Sequence, residues 1–192
     1  MNPRRLGVFW WTAVFVLALD MATKLVVYNT MELGRPPLRL LGDFVRFTYI
    51  QNAGAAFGLF QGNRWFFVAV SSISIVAVIV LARAQRYRRA MTGAAFGLIL
   101  GGALGNLIDR LWLGQVIDFV DLGFGSHRWP VFNVADIGVT GGVILLALSL
   151  LREEQPAGEA LPEEAPPMQA RPREDTGGAA EDGDTGAGAT AR

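Results

Sequence analysis

Four stretches of the chain are apolar almost without interruption: Leu6–Tyr28, Trp65–Ala82, Ala90–Leu113 and Phe132–Leu151. Each approaches or reaches the roughly 20 residues that a helix needs to cross the hydrocarbon core of a bilayer. The pattern predicts an all-α polytopic membrane protein with four transmembrane helices. Leu6–Tyr28 follows Arg4 and Arg5 as a secretory signal would, but it is too long for one and has no convincing small-x-small cleavage site, so it reads as a retained span.

Between the first two apolar stretches the pattern changes. Phe44-Val45-Arg46-Phe47-Thr48-Tyr49-Ile50 is rich in β-formers and follows the turn signal Gly42-Asp43. It predicts a short strand or hairpin lying on the outer membrane surface as a small cradle. Ala55–Phe60, small and apolar, predicts a short interfacial helix. Residues 114–131 are expected to form an outer connection. Beyond Arg152 large apolar residues almost vanish, and residues 152–192 are expected to be a disordered acidic tail beside the membrane domain of residues 1–151.

Charge adds the topology. The net charge of zero conceals a split: residues 152–192 carry ten acids against four arginines, whereas residues 1–151 carry seven acids against thirteen bases. The bases sit in short runs between apolar stretches, which points to membrane topology and not to a nucleic-acid partner. Arg4 and Arg5 precede the first span, and Arg83, Arg86, Arg88 and Arg89 crowd the short second connection. The positive-inside rule assigns both to the cytoplasm. Both termini are then cytoplasmic, and residues 29–64 and 114–131 face outward. Arg35, Arg39, Arg46 and Arg64 lie in the outer segment, so parity with the arginine-dense short connection decides the orientation.

Composition narrows the chemistry. There is no cysteine, which removes disulfides, thiolate zinc sites and cysteine nucleophiles. The lone histidine, His127, cannot supply a two-histidine zinc motif. What remains is carboxylates, hydroxyls, amides, arginines and one lysine.

Four of the seven acids of the body fall in or beside spans: Asp20, Asp109, Asp118 and Asp136. A carboxylate at mid-span costs about 2.5–3.5 kcal/mol, and residues that incur this cost pair with one another or act. With the orientation above, Asp20 lies roughly two helical turns below the outer surface. Asn106, Asp109 and Arg110 fall in the last two turns of the third span, Asn133 and Asp136 at the start of the fourth, and Asp118 just beyond the third. Four segments therefore bring polar groups to one depth. Within each helical set the spacing is i, i+3 with i+4 or i+7, which places Asp20, Thr23 and Lys24, then Asn106, Asp109 and Arg110, then Asn133, Asp136 and Thr140 each on one face. Gly93, Gly97, Gly101 and Gly105 recur every fourth residue, and Gly138 and Gly142 do the same; these are surfaces for close helix approach.

Local partners divide the acids. Asp20 has Lys24 one turn away, and Asp109 has Arg110 beside it; Asp118 and Asp136 have no sequence-local cation. Two neighbouring carboxylates in a low-dielectric site share a proton, which puts an acid and a base side by side for activating water on an amide. An ion path or polar gate would use the same residues. A presenilin-type aspartyl protease is another reading, but the Gly-x-Gly-Asp motif is missing. A metal-dependent lipid transferase would want its acids clustered on one segment.

Five blocks then coincide with a known family. Asp20-Met21-Ala22-Thr23-Lys24, Asn52-Ala53-Gly54-Ala55-Ala56-Phe57-Gly58, Gly101 through Arg110, Val116-Ile117-Asp118-Phe119 and Phe132-Asn133-Val134-Ala135-Asp136 stand in the order and spacing of the lipoprotein signal peptidases, or signal peptidase II. The chain resembles that family over essentially all of residues 6–151. The resemblance implies a bacterial inner-membrane aspartic endopeptidase, acting as a monomer among membrane lipid without metal or cofactor. Its substrates would be diacylglyceryl-modified prolipoproteins, cut just before the lipidated cysteine. It implies Asp118 and Asp136 as the catalytic dyad. Asn52 and Arg110 would hold the substrate backbone or the tetrahedral intermediate, with Asn106 and Asn133 beside them. Asp20, Lys24, Asp109, Ala135 and Gly54 would support the site.

Overall fold

The computed structural model describes residues 3–54, 62–84 and 90–153. The expected interfacial helix at Ala55–Phe60 lies outside these residues; of the expected tail, residues 152–192, the first two instead close the last helix and the rest lies outside the described residues. The described chain runs α1 (Pro3–Thr30), β1 (Leu38–Leu41), β2 (Val45–Asn52), α2 (Arg64–Ala84), α3 (Ala90–Trp112), β3 (Val116–Phe124), β4 (His127–Arg128) and α4 (Val134–Glu153). All four helices contain segments long and apolar enough to cross a membrane: Leu6–Thr30, Arg64–Ala84, Ala90–Trp112 and Val134–Leu151. Their outward faces carry the large apolar side chains a bilayer accepts, among them Trp11, Phe15, Trp65, Ile73 and Ile144.

Helix α3 is the centre of the bundle. Half of its apolar window is buried, against 11% for that of α2. Its glycines explain why. A Cβ on Gly97 would stand 2.5 Å from the Phe9 carbonyl oxygen, and one on Gly101 would stand 2.5 Å from that of Ala13, so α1 lies directly on the glycine row. On the adjoining face, a Cβ on Gly102 would collide with the Ala135 carbonyl of α4. Helix α4 answers with Gly142, whose Cβ would come within 2.8 Å of the Ala95 carbonyl. Helix α2 joins through side chains instead. Val78 and Ala82, with Ile75 and Ile79 beside them, pack on Phe96 and Leu100.

The outer segment forms a four-stranded antiparallel sheet in the order β1-β2-β3-β4. The expected hairpin is present as β1 and β2. Residues 114–131, the outer connection to which the sequence assigned no strand, supply β3, the longest strand, and β4. Val116, Ile117 and Asp118 pair with Asn52, Gln51 and Ile50, and Val120 and Phe47 pair beyond an irregularity in the register. Alternation then aims Ile117 and Phe119 into a core with Val27 and Tyr49, while Asp118 faces the other way. The sheet is thereby fastened to the end of α1, and one carboxylate is turned toward α3 and α4.

Candidate active site

Lys24 is the hub on one side of the site. Its ammonium lies 2.8 Å from Asp20 Oδ2 and 2.9 Å from Asp109 Oδ2, and donates to Asn106 Oδ1 at 2.9 Å. All three charged groups are essentially out of solvent, and they pair with one another as charged groups within a span do. The sequence suggests Arg110 as the neighbour of Asp109. The structure corrects this: adjacent helical residues point in different directions, and Asp109 turns to Lys24 while its Oδ2 also accepts the Ile117 N–H at 3.1 Å. Asp20 reaches across to α4, where its Oδ1 accepts the Ala135 N–H at 2.8 Å. That amide is one of the orphan donors of a helix N-terminus, so Asp20 ties α1 to the first turn of α4. Gly105 makes this possible, since a Cβ there would occupy the position of the Asp20 carboxylate.

Asn106 carries the arrangement onward. Its Oδ1 accepts from Lys24 and, at 3.1 Å, from Asn133 Nδ2, while its own Nδ2 donates to Asp136 Oδ1 at 2.8 Å. Asn133 is fully buried, and its Nδ2 also lies 2.7 Å from Asp118 Oδ1 and 3.2 Å from the Ile117 carbonyl. The second oxygen of Asp118 accepts from Asn52 Nδ2 at 3.0 Å, and Asn52 Oδ1 in turn accepts the Gly54 N–H at 3.0 Å. Each of these amides is oriented by a bond at its oxygen, so its NH2 group is presented to a carboxylate.

Asp118 and Asp136 line one cavity of about 310 Å³ together with Asn52, Gly54, Asn106 and Arg110. Arg110 sits in the field of Asp136 and, more weakly, of Asp118 and Asp109. Its guanidinium lies 5.1 Å from the centre of the Phe67 ring, and its Nη1 donates to the Asn106 carbonyl at 3.2 Å. Neither Asp118 nor Asp136 forms an ion pair within 4.0 Å among the described residues, in contrast to Asp20 and Asp109. Burial, helped by the charge of Asp136, pushes the Asp118 carboxyl up to about 7; the amides of Asn52 and Asn133 and the charge of Lys24 oppose it. A carboxyl in that range keeps a substantial protonated fraction at neutral pH. The site therefore offers a protonatable carboxyl and a second carboxylate in one polar cavity, with Arg110 and an amide on its wall.

All eleven residues singled out from the sequence are brought into this constellation. Phe67, Thr140 and the Trp129–Phe132 segment also line the cavity and were not among them as site residues. Apolar side chains among apolar neighbours give no local signal. Thr140, on the Asn133–Asp136 face, did have one in its helical spacing.

The fold and the cavity define a multi-pass membrane protein with a paired-carboxylate site where a small sheet meets three helices. The sequence model of signal peptidase II matches residues 12–152. The chain is 41% identical over 142 residues to the lipoprotein signal peptidase of Geobacter metallireducens, covering 72% of this chain and 87% of that one. It is 38% identical over 150 residues to the lipoprotein signal peptidase of Geobacillus thermodenitrificans, covering 78% and 93%. Two bacterial membrane enzymes solved by the in meso method share the fold. One has a TM-score of 0.73 at 33% identity, covering 80% of this chain and 93% of that chain, and the other 0.69 at 34%, covering 77% and 94%. The chain belongs to the signal peptidase II family, and is an aspartic peptidase.

Proposed function

We propose that this chain removes signal peptides from diacylglyceryl-modified bacterial prolipoproteins, cutting the peptide bond just before the lipidated cysteine, with Asp118 and Asp136 as the catalytic dyad. The observation that carries the reading is that these two carboxylates share one cavity and have amide donors where Asp20 and Asp109 have a lysine. The chemistry follows from that difference. A carboxylate locked to an ammonium is a poor base, whereas one held by neutral amides can exchange a proton with water.

In this mechanism a water molecule sits between the two carboxyls. Asp136 takes its proton as the water oxygen attacks the scissile carbonyl carbon. Protonated Asp118, whose burial favours the neutral form, donates a hydrogen bond to the carbonyl oxygen and stabilises the charge that develops there. The C–N bond of the resulting tetrahedral intermediate then breaks as a carboxyl proton passes to the departing amine, leaving a new carboxyl on the signal peptide. Arg110 and Asn52 hold the substrate backbone at the cavity wall. The lipidated end of the substrate stays in the outer leaflet, with the site near the periplasmic or outer face and both termini in the cytoplasm.

The test is cleavage of a purified diacylated prolipoprotein by Asp118→Asn and Asp136→Asn variants. Each is expected to lose at least about 10³-fold in kcat while remaining inserted. Near-normal processing by either would overturn the dyad. Retention of activity in EDTA is expected as well, and loss in EDTA with recovery on adding a divalent metal would favour a metal-dependent transferase.

A further inference from the structure

We propose that Arg128 is a positioning residue for substrate: a clasp centred on it fixes the Trp129–Phe132 wall that the cavity presents to the peptide. The proposal rests on the peptidase reading above. Arg128 comes just after the tight β3–β4 turn, and Gly123 admits the returning strand, since a Cβ there would collide with the His127 carbonyl. From that point its guanidinium makes three directed bonds. Nε donates to Asp121 Oδ1 at 2.6 Å, Nη2 to the Asp121 carbonyl at 2.9 Å, and Nη1 to the Asp43 carbonyl at 2.8 Å.

The partners are themselves held. Asp121 Oδ2 accepts from Thr48 Oγ1 at 2.8 Å, Asp43 forms an ion pair with Arg46, and Asp43 Oδ2 accepts the Gly125 N–H at 2.6 Å. Thus the turn between β1 and β2 is tied to the turn between β3 and β4 by a compact group of two arginines and two aspartates. Such a group is stronger than isolated surface pairs, because the Arg128 side chain is only 16% exposed and that of Asp121 only 8%.

The effect of the clasp is carried by the segment between β4 and α4. The Trp129 backbone N–H donates to the Leu122 carbonyl at 2.8 Å, and Phe132 bridges Val120, so residues 129–132 run along β3 with their path set by the position of β4. Trp129 and Phe132 line the polar cavity of Asp118 and Asp136. They also line an adjoining, more apolar cavity of about 340 Å³ that includes Ile137 and Gly141. Along β3, Asp121 belongs to the face opposite Asp118. Arg128 can therefore set the wall of the site without touching the reacting groups.

Removing the clasp should loosen ground-state and transition-state binding alike, which raises KM and spares kcat. The experiment is steady-state cleavage of a diacylated prolipoprotein by the full-length wild-type chain and by Arg128→Gln and Arg128→Lys. Arg128→Gln should raise KM about tenfold with kcat within about twofold of wild type. Arg128→Lys keeps one charge for Asp121 but cannot span both carbonyls, so an intermediate rise of about threefold is expected. An unchanged KM in either inserted variant, or a loss confined to kcat, overturns the proposal. If Arg128→Gln fails to insert, Arg128→Lys decides alone by the same criterion. Absence of cleavage by the wild-type chain would instead overturn the peptidase reading itself.

Discussion

Asn133 and Asp136 cap each other at the start of α4. Asn133 Oδ1 accepts the Asp136 N–H at 2.9 Å, and Asp136 Oδ2 accepts the Asn133 N–H at 3.2 Å. This is the reciprocal geometry of a capping box, with an aspartate in the third helical position. It also means that a candidate catalytic carboxylate is oriented by the backbone of its own helix, with one oxygen spent on the cap and the other on Asn106.

Asn133 thus has a capping role and an amide role that mutation can separate. Asn133→Ser retains a capping oxygen but loses the NH2 group that meets Asp118. The serine variant should be about 1 kcal/mol more stable than Asn133→Ala in thermal unfolding in detergent. Both should lose about 10- to 100-fold in kcat, because neither has an NH2 group that meets Asp118 while a side-chain oxygen caps α4. Full activity in the serine variant would reduce Asn133 to a cap.

The elevated Asp118 carboxyl predicts a pH profile. If its neutral form assists the attack, kcat/KM should fall as pH rises through about 7, where that proton is lost from the free enzyme. Asn52 donates to the ionised form and so lowers its proton affinity. Asn52→Ala should therefore move the descending limb to higher pH, alongside any loss in rate. A limb that moves to lower pH, or no limb between pH 6 and about 9, would contradict the role given to Asp118.

Gly105 predicts a size limit. Gly105→Ala puts a methyl where the Asp20 carboxylate lies, displacing Asp20 from Lys24 and from the Ala135 amide. Overpacking of this kind costs about 1–3 kcal/mol, and thermal unfolding in detergent should register it together with lost activity. Gly7→Ala is the control, since nothing lies within 4 Å of its added Cβ. It should be neutral or slightly stabilising. Equal behaviour of the two variants would show that the close approach at Gly105 is not limiting.

The family match ends at residue 152, and a chain ending at Arg152 should insert and cleave substrate at a rate within about twofold of the full chain. Quantitative insertion and cleavage assays check this. Failure of either would give the acidic segment a function.

How much of this was legible depended on whether a residue's partner was close in sequence. The four helices followed from apolar length alone, and the Asp20–Lys24 pair from one turn of spacing. The correct partner of Asp109 did not, because Lys24 lies on another helix. The β3 strand carried a signal in its β-branched and aromatic Val116, Ile117, Phe119 and Val120, but its partner β2 lies far back in the chain; Asn52 and Asp118 are 66 residues apart. Without knowing that the two meet, so short a run reads as a loop between spans. Asn106 could be read onto one helical face with Asp109 and Arg110, yet its place at the crossing of Lys24, Asn133 and Asp136 required three helices and their glycine contacts.

The Asp20–Ala135 bond has a consequence in time. Helix α1 is made first and α4 last of the four, so Asp20 and Lys24 enter the bilayer long before the amide and the aspartate they help to organise exist. During synthesis Lys24 can already neutralise Asp20, one turn away, which lets the first helix partition as an electrically balanced segment. The candidate site stays unassembled until Asn133, Ala135 and Asp136 have left the ribosome, so with the dyad proposed above a partly made chain would hold none of the hydrolytic capacity of the finished one.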